Sequence, residues 1–174
     1  MGQRLLTDGE IRELLSERKP LDANWQTRLK TRPKSEVRFT HREADVKGDN
    51  EHNFRVILRQ NTLNILDFSI ILTFIDDSGE YILTRFNGKH PSAHTNKWEK
   101  AAKVSGRHEF RNTFHTHRAT ERYQVAGYAI DGYAEETTEY SSFETALDLF
   151  VRSNGFQVPP TNPGQMRLFA NPNP

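Results

Sequence analysis

Two neighbouring stretches decide the fold: FRVILR at residues 54–59 and LDFSIILTF at residues 66–74. In each, large apolar residues occupy every second position, and polar or charged residues occupy most of the positions between them. This period of two is typical of β-strands that bury one face. Residues 60–64 suit a hairpin loop, so the two stretches predict an antiparallel pair.

Further strand patterns lie on both sides of this pair. Residues 36–43 alternate, with Val37 and Phe39 on one face, and residues 80–86 follow a turn at residues 76–79. Because short turns join sequential antiparallel strands, residues 36–86 predict a meander.

A helix is predicted at each end of this meander. Thr7 and Glu10 have the spacing of a capping box, and Pro20 should end the first helix near residue 19. Residues 143–151 place apolar side chains at helical spacing, and Asn-Gly at residues 154–155 is a typical helix end. The pattern predicts an α+β fold, a mostly antiparallel sheet with an N-terminal and a C-terminal helix packed on it.

The segment between the meander and the second helix carries weaker patterns. Residues 87–106 predict irregular chain or a short helix with Pro91 in its first turn. Residues 123–130 and 133–138 flank Asp-Gly at residues 131–132, which predicts a hairpin.

Residues 108–117 predict a further strand. Phe110 and Phe114 would share one face of it, and His115 and His117 the other. The two imidazoles are therefore not explained as filling of the apolar core.

Length and composition limit the class of protein. The 174 residues predict one domain at residues 1–158, followed by a disordered Pro- and Asn-rich tail at residues 159–174. The chain has no cysteine, which excludes disulfides, thiolate metal sites and thiol nucleophiles. No apolar run approaches the about 20 residues of a membrane helix, and the N-terminus has no signal-peptide pattern. We therefore expect a cytoplasmic protein without a membrane partner.

The net charge of +1 conceals a strong asymmetry along the chain. Residues 85–122 hold nine Lys and Arg against three Asp and Glu, together with five of the seven histidines. Residues 123–158 hold one Arg against six Asp and Glu. The first segment is a candidate site for phosphate or RNA, the alternative being a solvated cationic face compensated by the acidic segment.

Within the cationic segment, two groups of residues carry the candidate chemistry. The first group runs from Arg85 to His94, and the second begins with the H-x-H pattern at residues 115–117. His115 and His117 are predicted to act as acid and base, Glu121 to orient them or act as an alternative base, and His90 to carry a further proton. The remaining candidates would bind phosphates or bases: Arg85, Asn87, Lys89, Arg118, Arg122 and Tyr123.

Three chemical interpretations of these two groups remain open. The first is phosphodiester cleavage without a metal or cofactor, and it is the one that we adopt. The second is a metal site built from His90, His94, His115 and His117, although no standard all-histidine spacing matches them. The third is nucleic-acid binding without cleavage. An exposed polar strand whose histidines face solvent is the structural alternative to all three.

The order of these motifs resembles bacterial toxins of the TumE type and related bacterial families of unknown function. The resemblance covers roughly residues 52–155 and rests on Asn87-Gly88-Lys89-His90, the pattern H-x-H-x(3)-E-x-Y at residues 115–123 and the helix at residues 143–151. It implies the toxin half of a toxin–antitoxin pair in bacterial defence, acting on RNA as a ribonuclease and neutralised by an antitoxin protein. This chain differs by a longer insert between the two histidine groups and an added N-terminal helix.

The tail contains a short motif with a different implication. Gln165, Leu168 and Phe169 fit the pattern Q-x-x-L-F, which resembles the peptide that bacterial partners insert into the replication sliding clamp. A disordered tail suits a short linear motif, because the peptide can order when it binds. The motif keeps open a non-enzymatic interaction protein of a mobile-element or phage-defence system.

Overall fold

The computed structural model describes residues 4–31 and 38–159. Four helices lie in this part of the chain: α1 (Asp8–Ser16), α2 (Lys97–Ala101), α3 (Glu121–Val125) and α4 (Phe143–Ser153), with a 3-10 helix at Trp25–Arg28. The strands are β1 (Lys19–Pro20), β2 (Lys30–Thr31), β3 (Phe39–Lys47), β4 (Asn53–Asn61), β5 (Phe68–Asp76), β6 (Gly79–Asn87), β7 (His94–Thr95), β8 (Glu109–Phe110), β9 (His115–Arg118), β10 (Tyr133–Glu136) and β11 (Phe156–Gln157).

Seven of these strands form one sheet in the order β10-β9-β6-β5-β4-β3-β2. Every neighbouring pair in it is antiparallel. The long strands β3 to β6 follow one another as a meander, while β9 reaches the sheet only after an excursion of the chain. The predicted α+β fold, with a helix near each end of the chain, is confirmed.

The two terminal helices begin and end through local interactions. Thr7 caps α1 and forms a capping box with Glu10, as predicted, and the helix ends at Ser16, before Pro20. Ser142 caps α4, and the chain leaves that helix through Gly155, whose φ of +73° favours glycine.

One face of the sheet carries the hydrophobic core. The alternating apolar residues of β4 and β5 are buried on this face together with apolar residues of α1 and α4. The members from these four elements are Phe54, Val56, Leu58, Phe68, Ile70, Leu72, Phe74, Ile11, Leu14, Phe143, Ala146, Leu147 and Phe150. The period of two in the sequence therefore predicted the buried face correctly.

The alternate positions point to the second face of the sheet, and they bring polar residues into register. Arg85 of β6 pairs with His117 of β9, and Asn87 pairs with His115. Ser69 of β5 continues this second row beside Asn87. The candidate site residues of two distant segments thus become neighbours through strand pairing.

The chain between β6 and β9, residues 88–114, forms a unit that we call the cap. It contains the short pair β7 and β8 and the helix α2. Asn96 anchors it: its side chain accepts from the backbone N–H of Ala134 at 2.9 Å and donates to the carbonyl of the same residue at 2.8 Å. The cap is therefore fastened to β10, next to the row that holds His117.

The predicted continuous strand at residues 108–117 is wrong. The chain forms β8 and β9 separately, and Asn112 between them has φ of +53°, a conformation that breaks a strand. Phe110 and Phe114 therefore do not share a face: Phe110 stacks on His115, whereas Phe114 packs against Phe68. Phe110 thus joins the histidine side instead of opposing it.

The predicted hairpin around residues 131–132 is also wrong. Residues 121–125 form helix α3, and β10 pairs with β9 instead. Tyr123, which was expected on a strand, is buried in this helix, and its hydroxyl donates a hydrogen bond to the carboxylate of Glu99 in the cap. The short helix in the cap begins at Lys97, so Pro91 does not occupy its first turn.

Some predicted features lie outside the described residues. Residues 36 and 37, the start of the strand predicted at residues 36–43, are among them. The observed strand β3 begins at Phe39 and ends at Lys47, four residues beyond the predicted end. Residues 160–174, which include the motif that resembles a clamp-binding peptide, also lie outside the described residues. Within the part that is described, no helix is long and apolar enough to cross a membrane.

Candidate functional site: a cluster of four histidines

His115 and His117 form the inner part of the site. Both stand on β9 and point to the second face of the sheet, where they are 2% and 5% exposed. Their ring centroids lie 5.1 Å apart. The H-x-H spacing thus placed the imidazoles on one face, as predicted, but the cap buries them.

The cap supplies the other two members of what we call the histidine cluster: His90, His94, His115 and His117. The His94 ring lies 4.4 Å from that of His117 and 6.1 Å from that of His115. The His90 ring lies 5.1 Å from that of His115. The two histidine-containing segments of the sequence therefore meet in space, with His90 and His94 half-buried above the inner pair.

Hydrogen bonds fix which ring nitrogen of the inner histidines carries the proton. His117 Nδ1 lies 2.9 Å from the carbonyl of Asp131, and His115 Nδ1 lies 2.8 Å from the carbonyl of Thr113. A carbonyl can only accept, so both imidazoles are protonated at Nδ1 and carry a lone pair on Nε2. The amide of Asn87 donates to His115 Nε2 at 3.2 Å, whereas His117 Nε2 is buried without a hydrogen-bond partner.

His94 is oriented by the same asparagine that anchors the cap. Because Asn96 Nδ2 donates to the Ala134 carbonyl, its Oδ1 must face the ring of His94, 3.1 Å from Nε2. Nε2 is therefore the protonated nitrogen of His94. A residue that sequence analysis did not single out thus couples the cap, β10 and one imidazole.

Burial keeps the inner imidazoles uncharged. Desolvation is the main cause that lowers the pKa of His115 to about 4 and that of His117 to about 2. The neighbouring imidazoles and Arg85 act in the same direction, while the hydrogen bond of each ring to a backbone carbonyl opposes it. Desolvation also lowers the pKa of His94, partly offset by hydrogen bonds to Asn96 and to the Gly132 backbone. At neutral pH these rings are available as acceptors or ligands, not as cations.

Arg85 stands beside His117 and is held by Asp131. Its guanidinium lies 2.6 Å from the carboxylate of Asp131, whose backbone carbonyl accepts from His117. The Arg85 side chain remains 29% exposed. Asp131, which the sequence assigned to a hairpin turn, therefore orients both a cation and an imidazole.

Asn87 and Lys89 flank Gly88 at the start of the cap and lie in different environments. Asn87 is buried, accepts from the Ser69 hydroxyl at 2.8 Å and donates to His115. Lys89 is partly exposed, with its ammonium 5.1 Å from the centre of the Phe114 ring. Asn87 thus positions His115, while the ammonium of Lys89 lies beside Phe114, the ring that packs against Phe68.

The other predicted site residues point elsewhere. Glu121 accepts from the backbone N–H of Asp8 at 3.1 Å and so engages α1. Arg118 is exposed and lies 3.7 Å from the carboxylate of Glu135. Neither makes a described hydrogen bond to the histidine cluster.

Arg122 and Tyr123 both bind Glu99, a buried carboxylate of α2. Arg122 donates to one oxygen of Glu99 at 2.5 Å, and Tyr123 donates to the other at 2.5 Å. Arg122 also lies 4.7 Å from the ring centre of Tyr133. These contacts fasten the cap to α3, and they leave the buried Tyr123 ring inaccessible for stacking on a base.

The site and the fold together define the class: an α+β domain with a histidine cluster between the second face of an antiparallel sheet and a cap. As the side chains stand, no three His, Asp or Glu residues in the described ranges are arranged to hold a metal ion. No protein-family model, curated protein or solved structure matches the chain.

Proposed function

We propose that this protein is an RNA-directed toxin, a metal-independent endoribonuclease of the cytoplasm that moves protons with its histidine cluster. The observation that supports the proposal most strongly is the convergence of His90 and His94 with His115 and His117. Proton transfer in phosphodiester cleavage needs several such groups within reach of one substrate, and imidazoles suit it near neutral pH.

The reaction would be an internal transfer within RNA. An uncharged imidazole accepts the proton of the 2′-hydroxyl, and the 2′-oxygen forms a bond to phosphorus. The bond from phosphorus to the 5′-oxygen breaks, and that oxygen takes a proton from a second group. The products are a 2′,3′-cyclic phosphate and a free 5′-hydroxyl, and DNA is not a substrate because it lacks the attacking oxygen.

The geometry suggests how the roles divide. His115 and His117 are uncharged at neutral pH, so they suit the acceptor role, and bound phosphate would raise their pKa values toward the working range. His90 lies against His115 and is the proposed carrier of the second proton. Arg85 and Lys89 provide positive charge near the transferred phosphate. Since the inner pair is buried, the cap must open for RNA to reach it.

The decisive experiment incubates the purified, untagged chain with single-stranded RNA and with DNA of the same sequence, in the presence of EDTA. We expect RNA fragments ending in a 2′,3′-cyclic phosphate and no DNA cleavage. His117→Gln should reduce the rate by at least about 100-fold, the contribution typical of one general acid or base. His108→Asn, which changes a histidine outside the cluster, is the matched control. Intact RNA under all conditions would refute cleavage.

Binding of RNA without cleavage is a second candidate, favoured by one observation. His115 and His117 are at most 5% exposed, which is unusual for groups that must contact a substrate. In that case Lys89→Glu would weaken RNA binding and reduce the dependence of binding on salt concentration. Neither this variant nor the unmodified chain would release RNA fragments.

The tail provides a partner hypothesis that is independent of the cluster. Gln165, Leu168 and Phe169 are proposed to bind the sliding clamp, and an antitoxin protein is proposed as a further partner. Deletion of residues 160–174 should abolish clamp binding while leaving RNA cleavage unchanged. Clamp binding that survives the deletion would exclude the motif.

A further inference from the structure

We propose that His94, His115 and His117 form a binding site for a late first-row divalent metal ion, such as Zn²⁺ or Ni²⁺. The three rings are mutually adjacent, with centroid separations of 4.4, 5.1 and 6.1 Å. Imidazoles that share one tetrahedral ion, at about 2.0–2.1 Å from nitrogen to metal, have centroids about 5 Å apart. The spacing of the cluster is therefore close to that of a three-histidine site.

Each of the three rings is oriented by a protein oxygen on one nitrogen. The acceptors are Asn96 Oδ1 for His94 at 3.1 Å, the Thr113 carbonyl for His115 at 2.8 Å and the Asp131 carbonyl for His117 at 2.9 Å. Metal-binding histidines almost always donate their second N–H to such an acceptor, which fixes the tautomer and leaves a lone pair for the ion. The three acceptors thus leave a lone pair on Nε2 of His115 and of His117 and on Nδ1 of His94.

His117 provides an independent indication that a ligand belongs here. Its Nε2 carries a lone pair, lies in a side chain that is 95% buried and has no hydrogen-bond partner. A buried polar atom without a partner is costly, and a bound ion would satisfy it. Of the three rings, His117 is the one that lies closest to both of the others, at 4.4 Å from His94 and 5.1 Å from His115.

Binding requires small rearrangements of the side chains. The Asn87 amide must release His115 Nε2, and the ring of His94, which also has a hydrogen bond with the Gly132 backbone, must turn so that Nδ1 faces the ion. Both are rotations of side chains, and His94 is half-buried in the cap. The half-buried His90, whose ring centroid lies 5.1 Å from that of His115, is the candidate for a fourth ligand.

The metal site does not rest on the proposed ribonuclease activity. An ion would occupy the lone pairs that accept protons in cleavage, so the metal-loaded chain would be inactive and the metal-free chain active. Zn²⁺ would then act as an inhibitor that controls the cluster. Metal binding and RNA cleavage are measured separately, so either proposal can fail while the other stands.

The experiment titrates ZnCl₂ and NiCl₂ into the full-length, untagged chain by calorimetry at pH 7.5, after treatment with EDTA and its removal. We expect one ion per chain. Asn96→Ala should weaken binding by about 10–100-fold, the usual effect of removing a group that orients a ligand. His94→Asn should abolish it, and His108→Asn should leave it unchanged. Circular dichroism establishes that each variant is folded.

Co²⁺ provides a second readout that does not depend on activity. Its visible absorption should appear on binding and report nitrogen ligands in tetrahedral geometry, and the same spectrum should be missing in His94→Asn. Absence of binding by all three ions would overturn the proposal. Equal binding by His94→Asn and the unmodified chain, or equal loss in His108→Asn, would overturn it as well.

Discussion

His117 donates its Nδ1 proton to the backbone carbonyl of Asp131, 2.9 Å away, while the carboxylate of the same aspartate holds Arg85. One residue in a loop thereby fixes the tautomer of His117 and the position of the guanidinium of Arg85. The consequence is a ring whose Nε2 lone pair points into a desolvated cluster. Desolvation of this ring, together with the nearby His94 and Arg85, lowers the pKa of His117 although the hydrogen bond to Asp131 raises it, and the folded state is therefore sensitive to acid.

Acid should destabilise the protein through this cluster. The pKa of His115 is about 4 and that of His117 about 2 in the folded state, against 6.5 for an ordinary histidine. Below pH 6.5 the unfolded chain therefore binds more protons than the folded chain. The free energy of unfolding should fall as pH decreases from 6.5 toward 4, by up to about 1.4 kcal/mol per pH unit for each ring.

Urea unfolding at pH 7.5, 6.0 and 5.0 measures this dependence. The double variant His115→Gln/His117→Gln should show a shallower decline than the unmodified chain, because it lacks the two groups whose pKa values are lowered. Ionisable groups away from the cluster are common to both proteins, so their contributions cancel in the comparison. Parallel declines would show that the inner pair does not cause the acid sensitivity.

Asn96→Ala should loosen the cap. The substitution leaves the backbone N–H and carbonyl of Ala134 without their partner and releases the His94 ring. Each unsatisfied buried group costs about 1–3 kcal/mol. Asn96→Asp keeps the acceptor but buries a carboxylate oxygen against the Ala134 carbonyl, so its stability should be no higher than that of Asn96→Ala. Thermal unfolding measures the order, and faster hydrogen exchange in residues 88–114 would identify the cap as the affected unit.

The sheet could be predicted from the sequence, because a period of two is a local signal. Residues 54–59 and 66–74 show it directly, and their apolar positions are the buried ones. Helix α3 could not be predicted in this way, since five residues are too few to show a helical period. Its position depends on Tyr123 reaching Glu99 of the cap, which is a non-local contact.

The candidate site was predictable only in part. The H-x-H spacing placed His115 and His117 on one face, but their contact with His94 depends on the pairing of β9 with β6 and on the path of the cap. Asn96 was missed although it directly precedes helix α2. Its side chain makes no hydrogen bond to the first turn of that helix and binds β10 instead. Asp131 was missed because Asp-Gly is an ordinary turn sequence.

Gly88→Ala should disturb the cap at its first residue. A Cβ at this position would overlap the carbonyl oxygen of Leu66 and the ring of Phe68, so the backbone must move away from β5. We expect a clear loss of stability and a displaced His90. Gly9→Ala is the matched control: its Cβ meets nothing closer than 3.7 Å, and alanine in a helix should stabilise by about 0.5–1 kcal/mol. Similar losses in both variants would contradict this account.

Lys19→Met should destabilise the junction between α1 and α4. Lys19 is fully buried, and its ammonium donates to the carbonyls of Leu14 at 2.7 Å, Glu17 at 2.9 Å and Asn154 at 3.1 Å. Methionine fills a similar volume but leaves these helix-end carbonyls without a donor. Hydrogen bonds to charged groups contribute about 1.5–3 kcal/mol each, so we expect a loss of roughly 3 kcal/mol in the free energy of unfolding.

The matched control for this substitution is Lys30→Met, which removes the same charge at an exposed position of β2. Urea unfolding of the two variants separates the loss of a charge from the loss of a buried donor. Burial lowers the pKa of Lys19 to about 8, so above that pH the folded chain itself loses the ammonium. Between pH 8 and 10.5 the unfolded chain therefore binds more protons at Lys19 than the folded chain, so the difference in stability between the unmodified chain and Lys19→Met should be larger at pH 9.5 than at pH 7. A difference that does not change with pH would mean that folding does not lower the pKa of Lys19.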